Sequence, residues 1–328
     1  MSTRERLADL IELGDLDELV RAIDALVDER DWDGLVELRD RCRRALDRGK
    51  QLWPAASLAE YRLALDAPGQ WAATVLVEGA GQFALGPLAE VAASTHEWLE
   101  LAPYLPHGPL SSIAAHERVV RGEDLTHDRH VDREVLELPL RLQPWEPHYC
   151  LASYKRDGAT FESPRWPART PVDLPRDVST TIDSTTTEAL RALAHPWVAG
   201  SNGRAEAVAV EGDALAAIAA LGPRRAGIVR VDVGEAMRHM AWAAANGGAH
   251  GRRRGSALGR FHAWWALTTL VGLAEDDDPS PDEIGDAAAE LDWFLWDSGE
   301  PAHGWELRLA VADPHDGLAW ALVASDQY

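Results

Sequence analysis

The chain has 328 residues, 46% of them hydrophobic and 26% charged, with a formal net charge of −22 at neutral pH. That length suggests two domains, or three, and so negative a surface argues against general nucleic-acid binding because phosphates would be repelled over most of it. No run of about eighteen apolar residues exists to span a membrane, and residues 1–10 are polar and charged, so no signal peptide is expected.

The two cysteines, Cys42 and Cys150, lie far apart. Neither belongs to a Cys-x-x-Cys motif, so zinc and thioredoxin-like chemistry have no support, and a cytoplasmic, reducing setting is expected. Cys42 sits in Arg-Asp-Arg-Cys-Arg-Arg, where arginines could lower its pKa; a thiol beside a charged helix face is the plainer reading. Lys50 and Lys155 are the only lysines. With the heavy Ala, Asp and Gly usage, this is the composition of a high-GC bacterial genome, so arginine richness alone does not indicate phosphate binding.

Residues 1–125 read as helices. Asp15-Leu16-Asp17-Glu18-Leu19-Val20 recurs sixteen residues later as Asp31-Trp32-Asp33-Gly34-Leu35-Val36. In each copy an Asp can cap the helix, and acidic residues fill the first turn, where the dipole favours them. Leu16, Leu19, Val20, Ile23, Leu26 and Val27 form a core-facing stripe, and Trp32, Leu35, Val36 and Leu38 begin a second. Gly49 reads as a helix stop. Further helices are expected over 54–65, 70–81, 86–101 and 111–121. The layout resembles a small α-solenoid of the HEAT or TPR sort, in architecture only, and such stacks present a concave face to a partner.

Composition changes near residue 130. Leu136, Leu138, Leu140 and Leu142 alternate with other residues, which predicts a strand over 135–142 with Pro139 at a sheet edge. Residues 149–154 and 160–162 can pair around Asp157-Gly158 as a hairpin. The Pro- and Thr/Ser-rich stretch 163–187 reads as a linker. Beyond it, strands over 205–210 and 227–233 and helices over 213–221, 234–246 and 261–273 are expected. A helix over 281–296 and a final hairpin, 305–312 with 318–324, complete the chain. The expected fold is a mainly α multi-domain chain. A helical domain (1–125) precedes a β-containing middle with its linker (126–187) and an α/β or α+β domain (188–328). No glycine fingerprint follows a first strand, so no dinucleotide cofactor is expected.

The densest chemistry lies in residues 247–260, with five glycines and four arginines. Flexible backbone and positive charge at a helix start can form an anion site. Ser256 or Gly255 would cap the helix, Arg252, Arg253, Arg254 and Arg260 would make bidentate contacts, and His250 is a candidate acid or base. The competing reading pairs these arginines with the acidic residues Glu275, Asp276, Asp277, Asp278, Asp282 and Glu283, or leaves them in water. No Gly-Lys-Ser/Thr is present, so this is not a P-loop.

His96, His127-Asp128 and Asp173, Asp177 or Asp183 follow the His…His-Asp…Asp order of the HD-type metal phosphohydrolases. Those ligands need helices, however, and His127 falls in a polar connection with His130, so no metal site is expected. Fourteen tryptophans stand against four phenylalanines. Trp293 and Trp296 would share a helix face, and with Trp242, Trp264, Trp265 and Trp305 they read chiefly as core. Residues 201–206 read as a turn, and no Gly-x-Ser-x-Gly elbow appears.

Two functions remain. The first is a non-catalytic protein-interaction module, using the helical array and an acidic surface that selects a basic partner. The second is a small anionic ligand, bearing phosphate or carboxylate, bound at 247–260 by a domain that could be an enzyme. No cofactor or membrane association is expected, and nucleic acid is disfavoured.

Overall fold

A computed structural model describes residues 3–274, 279–299 and 304–327. The chain forms two compact units, Met1–Leu140 with Ala152–Phe161, and Arg141–Leu151 with Glu162–Tyr328. Helices dominate the first and a large antiparallel sheet organises the second. No helix among the described residues is long and apolar enough to cross a membrane.

The helical unit begins with α1 (Thr3–Leu13), α2 (Leu16–Asp28) and α3 (Trp32–Arg44). Both repeated Asp residues cap as their spacing implies. Asp15 accepts from the Asp17 and Glu18 amides, and Asp31 from the Gly34 amide. Leu19, Ile23, Leu26, Val27, Trp32, Leu35 and Leu38 are buried, whereas Leu16 and Val20 stay exposed. Next come α4 (Trp53–Asp66), almost entirely enclosed, and a single turn α5 (Gly69–Ala72). The helix expected over 70–81 is therefore cut short. Gly79 and Gly81 adopt left-handed φ values of 77° and 70°, which no continuing helix can accommodate.

The helix expected over 86–101 is two helices, α6 (Leu88–Thr95) and α7 (Trp98–Leu101), split where His96 turns extended. Then follows α8 (Pro109–Val120). The hairpin β1 (Ala152–Lys155) and β2 (Gly158–Phe161) turns at Arg156-Asp157. It is tied to α4 and α6 by the Tyr61 hydroxyl donating to the Lys155 carbonyl at 2.6 Å and the Tyr154 hydroxyl donating to buried Glu90 at 2.6 Å.

The strand expected over 135–142 does not form. Pro139 has no N–H to give a ladder, and Glu137 sits at φ 52°. Leu136 and Leu140 are nevertheless buried, so the alternating leucines pack without pairing.

Among the described residues the sheet unit contains seven strands in the order β3-β6-β7-β8-β9-β5-β4, every neighbour antiparallel. The stretch that reads as a linker supplies both edges, β3 (Thr170–Asp173) and β4 (Thr180–Thr181). Pro171 is tolerated in β3 because that strand is an edge. Between the edges lie β5 (Arg204–Glu211), β6 (Arg225–Val231), β7 (Asp292–Asp297), β8 (Trp305–Asp313) and β9 (Leu318–Asp326).

α11 (Ala214–Ala220) covers one sheet face, packing on Val210, Trp296, Ala310, Ala312, Ala319 and Ala321. These small alanines bring helix and sheet close together. α9 (Ser184–Ala192) packs on β5 and β9, and α12 (Val233–Ala245) on β7 and β8. α12 lies on the opposite face, where Trp242 stacks on Trp305 at 5.2 Å. The short α10 (His195–Gly200) carries Trp197, buried against both. α13 (Ser256–Leu270) packs along α12, and α14 (Pro281–Glu290) follows it.

The helix expected over 281–296 ends at Glu290, and β7 takes over. Its aromatic run Trp293-Phe294-Leu295-Trp296 suits a pleated surface. Trp293 and Trp296 consequently point to opposite faces instead of sharing one.

Candidate functional site

The glycine–arginine stretch forms the turn between α12 and α13 and the start of α13 itself, and packing explains Gly251 and Gly259. A Cβ on Gly259 would lie 2.3 Å from the Ala241 carbonyl oxygen, so this glycine lets the two helices touch. A Cβ on Gly251 would lie 2.2 Å from the Gly247 carbonyl oxygen, because the loop folds against itself. The Arg254 amide returns to the Ala245 carbonyl at 2.8 Å. The Ala249 amide donates to Asp326 at 2.6 Å and the His250 amide to the Ser201 hydroxyl at 3.1 Å.

The arginines are drawn to different internal groups. Arg253 donates to the Asn246 side-chain oxygen at 2.8 Å and the Ser256 hydroxyl at 3.0 Å. Arg254 lies 3.2 Å from His262 Nε2, and burial lowers its pKa. Gly255 is the N-cap of α13, with no side-chain capping bond. Arg252 and His250 face solvent. Of the acidic residues that could have paired with this stretch, Glu283 serves instead in a capping box with Ser280. Residues 275–278 lie outside the described residues.

Arg260 turns inward. It is wholly buried and grips Glu146 through Nε and Nη2, each at 2.7 Å. The same carboxylate accepts from the Trp264 indole at 2.9 Å, the Tyr149 hydroxyl at 2.6 Å and the Gln143 amide at 2.9 Å. Burial pushes the Glu146 carboxyl up, but the Arg260 hydrogen bonds and charge outweigh it and hold the pKa below its ordinary value. Burial together with the Glu146 charge raises Tyr149 well above its own. The cluster staples residues 141–151 to α13.

A second group of polar residues lines α12. His239 is fully buried, and burial pushes its pKa down to about 4, so the ring is neutral. Neither ring nitrogen makes a well-formed side-chain hydrogen bond; Glu235 Oε1 lies 3.3 Å from Nε2. Trp166 packs edge-on at 4.5 Å. Arg169 lies over Trp166 at 5.1 Å and pairs with Asp297 at 2.7 Å.

Two clefts flank this line. One, of about 690 Å³, is bounded by Arg230, Asp232, Glu235, Leu291 and Trp293. The other, of about 230 Å³, is bounded by Pro164, Trp166, Arg169, Trp242, Asp297 and Glu306. No sequence motif marks these residues. The one local signal is Glu235 and His239 at i, i+4 on a helix.

The histidines and aspartates in HD-type order do not assemble a site. His96 is held by the Ala92 and Ala67 carbonyls at 2.9 and 2.7 Å, and His130 lies beside Asp128 at 3.5 Å. Among the described residues no group of three His, Cys, Asp or Glu could hold a metal ion. Cys42 is buried and its thiol is pushed up to about 12, the reverse of activation by neighbouring arginines.

The helical unit presents apolar side chains on the loop between α5 and α6. Val77, Phe83 and Leu85 are 43%, 60% and 47% exposed. The loop backbone is pinned, with the Gly81 amide donating to buried Glu60 at 2.5 Å and the Phe83 amide to the Ser57 hydroxyl at 3.3 Å. Glu60 in turn pairs with Arg43 at 2.5 Å.

Residues 17–328 match the model of a family described as a family of unknown function, DUF6183. The chain belongs to this family. The match runs from α2 to the end of the chain, so both units are part of the DUF6183 architecture. No curated protein and no solved structure matches the chain.

Proposed function

We propose that the protein is a non-catalytic interaction module whose helical unit, a HEAT- or TPR-like array, receives a protein partner. The observation that carries this reading is the pinned loop bearing Val77, Phe83 and Leu85. Large apolar side chains held in water on an ordered backbone are the kind of surface a partner covers. The formal charge of −22 favours a partner with a basic rim around its apolar contact.

The internal engagement of Arg253, Arg254 and Arg260 also supports this reading over an anion site at 247–260, because their donors are already directed to side chains of the same unit. Both cysteines are free thiols, which fits action in a reducing compartment. The test is a Phe83→Ser, Leu85→Ser double variant purified from its native host beside the unaltered chain. A partner that accompanies the unaltered chain and is lost from an equally stable variant supports the module. Equal recovery with both moves the interface elsewhere. A stabilising shift with phosphate or sulfate, lost on Arg252→Ala, would favour the anion reading instead.

A further inference from the structure

The smaller cleft beside α12 has a structural origin in the sheet. The β7–β8 ladder stops at Leu295↔Leu309, although β8 continues to pair with β9 as far as Trp305↔Asp326. The ends of β7 and β8 therefore part. Trp242 from the α12 face and Glu306, on the face opposite Trp305, border the same opening, with Trp166, Arg169 and Asp297 also among its described lining residues.

The polar groups here are enclosed and incompletely used. Glu306 and Arg308 have side chains only 17% and 13% exposed, and their closest approach is 3.5 Å. Neither side chain makes a hydrogen bond among the described residues, and Arg308 Nε is buried without a partner. Arg308 instead rests over the Trp296 ring at 5.2 Å. Nearly buried ionised groups ordinarily fill their hydrogen-bonding capacity. A carboxylate at a cleft wall with lone pairs to spare is therefore ready to accept from a ligand.

Two further features define that ligand. Among the described residues, Arg169 pairs with Asp297, and Arg308, which is not a wall residue, stands 3.5 Å from Glu306, so these charges favour neither a cation nor an anion. Its walls combine indole surfaces with fixed carboxylate and guanidinium groups, which suits a molecule having an apolar C–H face and hydroxyls that both donate and accept. The volume, about 230 Å³, lies below the roughly 300–1,000 Å³ of drug-sized sites and suits a single ring.

We propose that the cleft between the ends of β7 and β8 binds one neutral pyranose unit, stacked on tryptophan and hydrogen-bonded to Glu306. Hydroxyls donate to Glu306 and Asp297 and accept from Arg169, while the C–H face lies on Trp166 or Trp242. This proposal is independent of the interaction surface on the helical unit.

Saturation-transfer NMR on the full chain tests it. The probes are the methyl glycosides of glucose, galactose, mannose, xylose and N-acetylglucosamine, each titrated to tens of millimolar, with adenosine and tetramethylammonium as controls. At least one glycoside should bind saturably. Glu306→Gln, which keeps shape but removes the charge, should weaken binding about tenfold, as expected for a hydrogen bond to a charged group. Trp166→Ala, at a half-exposed position, should also weaken it, and thermal melts establish that both variants remain folded. No saturable glycoside, or binding unchanged in both folded variants, overturns the proposal. So does adenosine or tetramethylammonium binding in preference to every glycoside with the same dependence on Glu306.

Discussion

Arg260 meets both carboxylate oxygens of Glu146 at 2.7 Å, with the two side chains wholly enclosed. An arginine that reads in sequence as an anion ligand has its anion supplied by its own chain, 114 residues earlier. Removing one member of a buried pair leaves the other charge uncompensated, at a cost of about 3–5 kcal/mol. Arg260→Met should therefore destabilise the sheet unit by about that amount in urea titrations. Adding Glu146→Leu should recover part of the loss by removing the stranded charge. Equal midpoints for Arg260→Met and the unaltered chain would show that the pair contributes nothing.

His239 and His262 are both held neutral, with burial lowering each pKa from the ordinary 6.5 to about 4. The unfolded chain takes up these protons between pH 6.5 and 4 and the folded chain does not, so stability falls as pH drops through that window. Below it Glu146, depressed in the folded state, contributes a further loss as it becomes protonated. The urea midpoint should decline from pH 7 to pH 4.5. His239→Phe should flatten the decline while His262 keeps the remainder. An identical pH slope in the variant would contradict the buried neutral ring.

Gly259 is required by the contact between α12 and α13. A Cβ there would meet the Ala241 carbonyl oxygen at 2.3 Å, and backbone cannot step aside as a side chain can. Gly259→Ala should cost about 1–3 kcal/mol, as overpacking usually does. Gly158→Ala is the control, since a Cβ there meets nothing within 4 Å. Thermal denaturation of both variants checks the difference, and equal melting temperatures would contradict it.

Local grammar was legible in the sequence. The caps Asp15 and Asp31 and the two hairpins follow from residues within a few positions of one another, whereas Asp232, read as the end of a strand, caps α12. Long-range pairing was not. The segment with Pro164, Pro167, Pro171 and Pro175 carries the marks of a linker, yet it closes the sheet at both edges, where proline is allowed. The aromatic run after Glu290 continues a helical pattern in composition and becomes a strand because β6 and β8 lie ready to pair with it. The candidate site is likewise assembled by long-range packing. Glu146, the segment carrying both Trp166 and Arg169, His239, Asp297 and Glu306 come from separate parts of the chain, and only Glu235 with His239 left a local trace.

Whether the pinned apolar loop of the helical unit meets a protein partner is read out by photo-crosslinking in the native host. A photoreactive phenylalanine analogue would be placed at position 83, at position 85, and at exposed Asp316 in the β8–β9 turn as a control. One discrete adduct common to positions 83 and 85 and absent at 316 is expected. No adduct at 83 and 85, or the same adducts at all three positions, would contradict it.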